Sequence, residues 1–124
     1  MIRILLAEDD DSMRHFLARA LEQAGHEVDS VDRGAEALQL LRDRTYDLLV
    51  SDIVMPGMDG IELSRRCAEV SPNTRVMFIT GFAAVALKAG GESARNKVLS
   101  KPFHLRELVQ EVERIFDDRT SASL

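Results

Sequence analysis

The chain has little of what several classes of protein require. Its 124 residues include one cysteine, Cys67, and no tryptophan. One cysteine cannot form an intramolecular disulfide or a thiolate metal site, so a reducing cytoplasm is the expected compartment. The sequence turns acidic at Glu8, which is too soon for a signal peptide, and it has no apolar run of membrane-spanning length. Secreted and membrane-embedded classes are therefore not expected.

Positive charge is also in short supply. Lysine and arginine number 16 against 21 aspartate and glutamate residues, which gives a formal net charge of -5. This sign opposes the neutralisation of phosphates on which nucleic-acid affinity depends, so DNA and RNA are not expected as direct ligands. With 45% hydrophobic and 30% charged residues, the chain is expected to form one soluble globular domain with a single core.

Short apolar runs alternate with helical patterns along the whole chain. The predicted strands are Ile2–Ala7, Glu27–Val31, Asp47–Ser51, Arg75–Ile79 and Lys97–Ser100. A predicted helix follows each strand, and the third strand is almost wholly apolar, as in a parallel sheet covered on both faces. The alternation therefore predicts a doubly wound α/β fold with a five-stranded parallel sheet and five helices.

Apolar residues at three- and four-residue spacing predict the buried faces of the helices. The first face comprises Met13, Phe16, Leu17, Ala20, Leu21 and Ala24, and Gly25 follows it as the end of the helix. Asp59 and Glu62 have the spacing of a capping box. Cys67 is expected in the core, an alanine-rich stretch predicts a short helix over 82–90, and His15 and His26 are interpreted as surface residues.

Polar residues capable of chemistry follow four of the predicted strands. The acidic run from Glu8 to Asp11 follows the first, Asp52 the third, Thr80 the fourth and Lys101 the fifth. Since ligands of such sheets bind at the carboxyl ends of the strands, these residues are expected to converge. Taken alone, the acidic run is also typical of solvated charge with a helix N-cap.

The expected convergence of carboxylates indicates a cation. Two carboxylates about 4 Å apart repel by about 4 kcal/mol at an effective dielectric constant of 20. Mg²⁺ characteristically uses one or two carboxylates together with phosphoryl oxygens and water. No glycine-rich phosphate loop follows the first strand, which argues against a nucleotide or flavin site. The residues therefore predict a metal-dependent phosphoryl site with Asp52 as nucleophile and with Thr80 and Lys101 neutralising the transferred group.

Four segments together resemble the receiver domains of two-component response regulators. They are the segment from Ile4 to Asp10 with Met13 and Arg14, the segment from Asp52 to Leu63, the segment from Met77 to Gly81, and the segment from Leu99 to Phe103. The resemblance implies a flavodoxin-like sheet of strand order 2-1-3-4-5. It covers residues 1–117 as a receiver domain and leaves 118–124 as a polar C-terminal tail, with no output domain expected.

The resemblance also implies a role for each matching residue. Asp52 would accept phosphoryl from a histidine kinase or a histidine phosphotransfer protein. Asp9 and Asp52 would bind Mg²⁺ directly, Glu8 would act through water, and the Val54 carbonyl would be a further ligand. Two more residues would contact the phosphoryl oxygens, namely Thr80 through its hydroxyl and Lys101 through its ammonium. Such a protein is a phosphoacceptor that catalyses its own phosphorylation and dephosphorylation rather than an enzyme acting on other substrates.

Two positions depart from or modulate the family pattern. Val98 stands three residues before Lys101, where the family often carries an aromatic switch residue, so the usual aromatic rotation is not expected. Phe82 lies two residues after Thr80, and with Val54 it occupies a position that tunes phosphate lifetime in the family.

Within the family, the segments from Met77 to Leu87 and from Val98 to Val109 are similar to CpdR-type stand-alone receivers. This similarity implies that the output is a protein contact, with ClpX of the ClpXP protease as the downstream partner. The apolar residues Phe82 to Val85 are a candidate contact surface, with ordinary packing as the alternative. A monomer is expected, and a phosphorylation-dependent dimer is the alternative state.

Three other functions fit parts of the pattern. A generic phosphorelay or chemotaxis-type receiver would use the same residues with a different output. A constitutive binding scaffold would have no need of mutually repelling acids. A phosphatase of the haloacid dehalogenase type would carry a second acid two residues after the nucleophile, and Val54 stands there instead.

Overall fold

The computed structural model describes residues 1–80, 97–100 and 104–122. Its strands are β1 (Arg3–Ala7), β2 (Glu27–Val31), β3 (Leu48–Asp52), β4 (Arg75–Thr80) and β5 (Lys97–Ser100). Within the described residues there are four helices, α1 (Asp11–Gln23), α2 (Gly34–Asp43), α3 (Gly60–Val70) and α4 (Leu105–Ala122). The short helix predicted over 82–90 lies outside the described residues.

The five strands form one parallel sheet in the order β2-β1-β3-β4-β5, which confirms the predicted fold class and strand order. All five residues of β3 are buried, because this central strand is covered on both faces. The register pairs Ala7 of β1 with Ser51 of β3, and Asp52 with Ile79 of β4. This register decides which residues meet at the carboxyl ends of the strands.

Alternate side chains of the strands enter two separate cores, one on each face of the sheet. On one face the strands contribute Leu5, Ala7, Leu49 and Phe78, which pack with residues of α2 and α3 such as Leu38 and Leu63. On the other face they contribute Ile4, Leu6, Val50 and Met77, which pack with residues of α1 and α4 such as Leu17 and Leu108. Val98 is half-buried and packs against the first core.

The helix ends follow local signals in the sequence. Asp10 is the N-cap of α1 and accepts a hydrogen bond of 2.9 Å from the Met13 amide. Asp59 caps α3 in the same way, with a bond of 2.8 Å from the Glu62 amide. Gly25 follows α1 with a φ of 98°, a conformation that favours glycine, so the predicted helix end is confirmed.

Some sequence predictions were wrong in detail. Phe16 was predicted on the buried face of α1, but 62% of it is exposed, because the apolar stripe of this helix is wider than the face that contacts the sheet. His26 was interpreted as a surface residue but is partly buried, and its Nδ1 accepts a bond of 3.3 Å from the Ile2 amide. His15 is exposed as predicted, and Cys67 is fully buried as predicted.

The last helix, α4, runs further than the apolar pattern indicated. It continues to Ala122, although a polar tail was expected over 118–124. No glycine or proline occurs after Leu105, and polar residues alone do not end a helix. Among the described residues, no helix is both long enough and apolar enough to cross a membrane.

Candidate functional site

The carboxyl ends of β1 and β3 bring two acids side by side. The last paired residues of these strands are Ala7 and Ser51, and the next residues along each chain segment are Glu8 and Asp52. Asp52 is itself the last residue of β3, one position beyond the predicted strand end. Both acids are buried, Glu8 fully and Asp52 to 7% exposure.

Asp9 completes a cluster of three carboxylates. One ligand oxygen from each of Glu8, Asp9 and Asp52 lies within 4.8 Å of the others. Asp9 is exposed, so the cluster opens to solvent on its side. Two oxygens bound to one Mg²⁺ are at most about 4.2 Å apart, which a small adjustment or an intervening water would satisfy here. The donor set therefore fits a hard divalent cation that retains part of its water shell.

The acidic run that precedes α1 divides into two functions. Glu8 and Asp9 face the cluster, whereas the Asp10 side chain caps α1 and Asp11 pairs with Arg14 at 2.6 Å. The sequence interpretation of the run as an N-cap is thus confirmed for Asp10. The two readings of the run are compatible because they apply to different residues.

Hydrogen bonds donated by two backbone amides hold the β1–α1 loop in place. The Glu8 amide donates to the Val31 carbonyl at 3.1 Å, which continues the pairing of β1 with β2 past the end of the strand. The Asp10 amide donates to Oε2 of Glu8 at 3.2 Å. The Glu8 carboxylate is therefore oriented by the loop that follows it as well as by its strand.

The loop after β3 orients Asp52. The Val54 amide donates to Oδ1 of Asp52 at 3.2 Å, and the Ile53 amide donates to the Ile79 carbonyl at 3.2 Å. Met55 is buried with 5% exposure, as expected of a residue that fills a gap, while 49% of Val54 is exposed. The loop thus presents Val54 to solvent beside the carboxylate and anchors itself through Met55.

Gly60 is a residue whose importance the sequence analysis missed. It is the first residue of α3, and its amide donates to the Ile53 carbonyl at 2.8 Å. A Cβ at this position would collide with the Asp52 carbonyl oxygen and lie 2.9 Å from the Ile53 Cα. Only glycine permits α3 to begin this close to the end of β3 at Asp52. The sequence did contain a signal for this, because a glycine stands directly after the N-cap Asp59, at a position where most residues are tolerated.

The other two predicted site residues are described in part or not at all. Thr80 ends β4, and its register partner in β5 is Ser100. Of Thr80 the structure describes the backbone position, and Lys101 lies outside the described residues, as does Phe82. The roles assigned to these two residues and to the Val54 carbonyl stay predictions, as do the roles of Glu8, Asp9 and Asp52.

Comparison with known proteins agrees with this geometry. Residues 4–113 match the family model of the response regulator receiver domain. The chain is 58% identical to the response regulator receiver protein CpdR of Brucella abortus over 116 residues, which cover 93% of this chain and 97% of that protein. CpdR is thus a relative of nearly the same length.

Two solved structures are similar in fold. The receiver domain of the hybrid histidine kinase CckA is 34% identical, with a TM-score of 0.77, and the match covers 91% of this chain and 97% of that one. The response regulator TrrA of Thermotoga maritima, solved in complex with Mg²⁺ and BeF, is 28% identical with a TM-score of 0.83, and the match covers 93% and 99%. The family match covers the acidic cluster and all but a few residues of the two cores. The chain belongs to the response regulator receiver domain family.

Proposed function

We propose that this chain accepts a phosphoryl group on Asp52 in a Mg²⁺-dependent reaction, and that this phosphorylation changes its contacts with other proteins. The observation that carries the proposal is the convergence of the Glu8, Asp9 and Asp52 carboxylates within 4.8 Å at the carboxyl end of the sheet. Receiver domains are signalling proteins rather than classical enzymes, and they receive phosphoryl from histidine kinases or histidine phosphotransfer proteins. Either is the proposed donor.

The proposed transfer is an in-line displacement. A carboxylate oxygen of Asp52 attacks the phosphorus of the donor's phosphohistidine, the P–N bond breaks, and its electron pair returns to the imidazole, which takes up a proton. Mg²⁺, when bound, supplies positive charge to the carboxylates and to the phosphoryl oxygens. The bond from the Val54 amide to Oδ1 holds the Asp52 carboxylate in one orientation for attack.

The remaining groups complete the proposed site. Asp9 and Asp52 would hold the cation directly, Glu8 would act through water, and the Val54 carbonyl would be a further ligand. Thr80 donates a hydrogen bond to one phosphoryl oxygen, and its position at the end of β4 supports this role. For Lys101, which pairs with another oxygen, the support is its place one residue after Ser100, the register partner of Thr80.

The proposed output is control of a proteolytic partner in the manner of CpdR-type receivers, with ClpX of the ClpXP protease as the candidate. The support is the 58% identity to CpdR across almost the full length of both proteins. Residues 1–117 form the receiver domain in this proposal, and the cytoplasm is the proposed compartment. Reconstitution tests the output. ClpXP degradation of a substrate that depends on this adaptor should be fast with the unphosphorylated chain and slow once Asp52 is phosphorylated.

The phosphorylation switch itself is tested by amide NMR. Mg²⁺ and then beryllofluoride, an acyl-phosphate mimic, are added to wild type, to Asp52→Asn and to the control Asp47→Asn. Asp47 is an exposed acid that precedes β3, at the opposite end of this strand from Asp52. Shifts that begin near Glu8, Asp9 and Asp52 and spread further with beryllofluoride are expected in wild type and Asp47→Asn. Asp52→Asn should not respond to beryllofluoride, because the mimic needs the nucleophile.

A negative result in this titration would favour a second function. If neither Mg²⁺ nor beryllofluoride shifts any amide of the wild type, the acids have a structural role. The chain would then be a constitutive binding module.

A further inference from the structure

Arg14 joins the first turn of α1 to the loop that carries the acidic cluster. Its Nη1 donates to the Glu8 carbonyl oxygen at 2.9 Å, and its Nη2 donates to Oδ1 of Asp11 at 2.6 Å. The Arg14 side chain is 18% exposed, although an arginine on the first turns of a surface helix is usually well solvated. The guanidinium is therefore held on the loop at two points.

The carbonyl that Arg14 holds belongs to the peptide between Glu8 and Asp9. Because the orientation of that peptide sets the directions in which both side chains leave the backbone, fixing it orients two of the three clustered carboxylates. Further bonds close the same loop, since the Asp10 amide donates to Oε2 of Glu8 and the Arg14 amide donates to the Asp10 carbonyl at 2.8 Å. Arg14 thus anchors the loop from both its side chain and its backbone.

We propose that Arg14 is a positioning residue for the cation site, one that sets the geometry of Glu8 and Asp9 without touching the ion. This inference rests on the proposed function, because it presupposes that the cluster binds Mg²⁺. The planar guanidinium can donate to a carbonyl and a carboxylate at the same time in a fixed fork. The single ammonium of lysine does not reproduce that fork.

Charge and geometry predict opposite effects on Mg²⁺ affinity when Arg14 is replaced by glutamine. If Arg14 acted only as a nearby positive charge, its removal would strengthen Mg²⁺ binding, because a cation repels a cation. If Arg14 positions the loop, its removal weakens binding despite the gain in negative charge. The direction of the change therefore separates a positioning role from an electrostatic one.

The experiment measures Mg²⁺ affinity by calorimetry in wild type, Arg14→Gln, Arg14→Lys and the matched control Arg19→Gln. Arg19 lies on the exposed side of the same helix, and its replacement changes the net charge by the same amount. We expect Arg14→Gln to bind Mg²⁺ about tenfold more weakly or worse, as for losses of groups that support a metal ligand. Arg14→Lys should also be weaker than wild type, and Arg19→Gln should stay within about twofold of it.

A metal-free measurement accompanies the affinities. In Arg14→Gln the Asp10 amide hydrogen should exchange faster than in wild type, because its bond to Glu8 requires the anchored loop. The same hydrogen in Arg19→Gln should exchange at the wild-type rate. Circular dichroism of each variant shows whether the fold is intact, and if Arg14→Gln fails to fold, Arg14→Lys decides the test.

The outcomes are distinct. Unchanged or tighter Mg²⁺ binding by both Arg14 variants, with normal binding by wild type, overturns the inference and leaves the proposed function standing. Absence of Mg²⁺ binding in wild type overturns the proposed function, and the positioning role with it. Weaker binding by both Arg14 variants, with Arg19→Gln near wild type, supports the inference.

Discussion

The two ends of the parallel sheet treat charge in opposite ways. Toward the amino ends of the strands, exposed acids lie against exposed bases, with Arg3 of β1 bonded to Glu27 at 2.9 Å, and Arg44, which precedes β3, bonded to Asp29 in the middle of β2 at 3.3 Å. At the carboxyl ends of β1 and β3, three carboxylates lie within 4.8 Å of one another. Exposed ion pairs of the first kind stabilise the folded chain slightly, whereas carboxylates as close together as those of the second repel one another and suit a bound cation. The contrast separates an end of the sheet where opposite charges are paired from an end where like charges are collected at the proposed cation site.

Two buried hydroxyl groups of the amino-end network both donate hydrogen bonds. The Tyr46 hydroxyl donates to Oδ2 of Asp29 at 2.6 Å, and the Thr74 hydroxyl donates to the Tyr46 carbonyl at 2.7 Å. Burial and the bond to Asp29 raise the pKa of Tyr46 to about 12. Tyr46 therefore stays neutral and keeps donating throughout the physiological range.

The largest expected effect comes from a substitution that displaces backbone at the carboxyl end of the sheet. Gly60→Ala places a methyl group against the Asp52 carbonyl and 2.9 Å from the Ile53 Cα, so α3 must move away from β3. We expect a loss of about 3 kcal/mol in the free energy of unfolding, measured by urea denaturation. Glu69→Ala, at an exposed position on the same helix, is the control and should change stability by less than about 0.5 kcal/mol. A Gly60→Ala protein as stable as wild type would contradict the close approach of α3 to Asp52.

A second prediction compares the two ends of the sheet by making the same substitution, aspartate to asparagine, at each end. Asp52→Asn removes a charge from the cluster and should raise the metal-free free energy of unfolding by about 1 kcal/mol. Asp29→Asn weakens the bonds to Tyr46 and Arg44 and should lower it by about 1 kcal/mol. Both are measured by thermal and urea denaturation in the presence of a chelator.

The prediction is that the two substitutions change the free energy of unfolding in opposite directions. If Asp52→Asn destabilises the metal-free protein as Asp29→Asn does, the carboxyl-end cluster is not under net repulsion. The contrast between the ends would then disappear.

The smallest expected effect is a pH dependence at the amino end. Burial, and then the positive charge of the N-terminal amino group, lower the pKa of His26 below its ordinary value of 6.5, while Glu113 opposes the shift. The unfolded chain therefore binds the proton first as pH falls. The stability that the neutral His26 contributes to the folded chain is fully present above pH 6.5, and it is lost as the pH falls through the lowered pKa of the folded state.

The melting temperature measured between about pH 7.5 and 5.5 reports this loss. Wild type should lose more stability over the range than His26→Gln, whose side chain does not titrate. Equal slopes for the two proteins would show that the environment of His26 is not linked to folding.

The sequence predicts the sheet and the location of the acids well, because both depend on local patterns. Apolar runs identify β1 and β3, and the acids stand at the ends of those runs, so parallel pairing alone brings Glu8 close to Asp52. The N-caps Asp10 and Asp59 are local as well. These features need no information from distant parts of the chain.

What the sequence misses depends on contacts between distant segments. Periodicity places Phe16 on the apolar stripe of α1 but does not reveal how much of that stripe the sheet covers. His26 is partly buried where it meets Ile2, 24 residues away, whose amide donates to its ring. The need for glycine at position 60 comes from the backbone of β3, and the anchoring role of Arg14 from a carbonyl six residues earlier.

The buried Cys67 gives the molecule a built-in chemical reporter. It is the single cysteine of the chain, it is fully buried, and burial raises the pKa of its thiol to about 11. A thiol of this kind reacts slowly with alkylating reagents while the core is closed. The rate at which Cys67 is labelled therefore measures how often the core between the sheet and α3 opens, without any engineered probe. A second cysteine introduced at an exposed position such as Phe16 would be labelled selectively in the same chain.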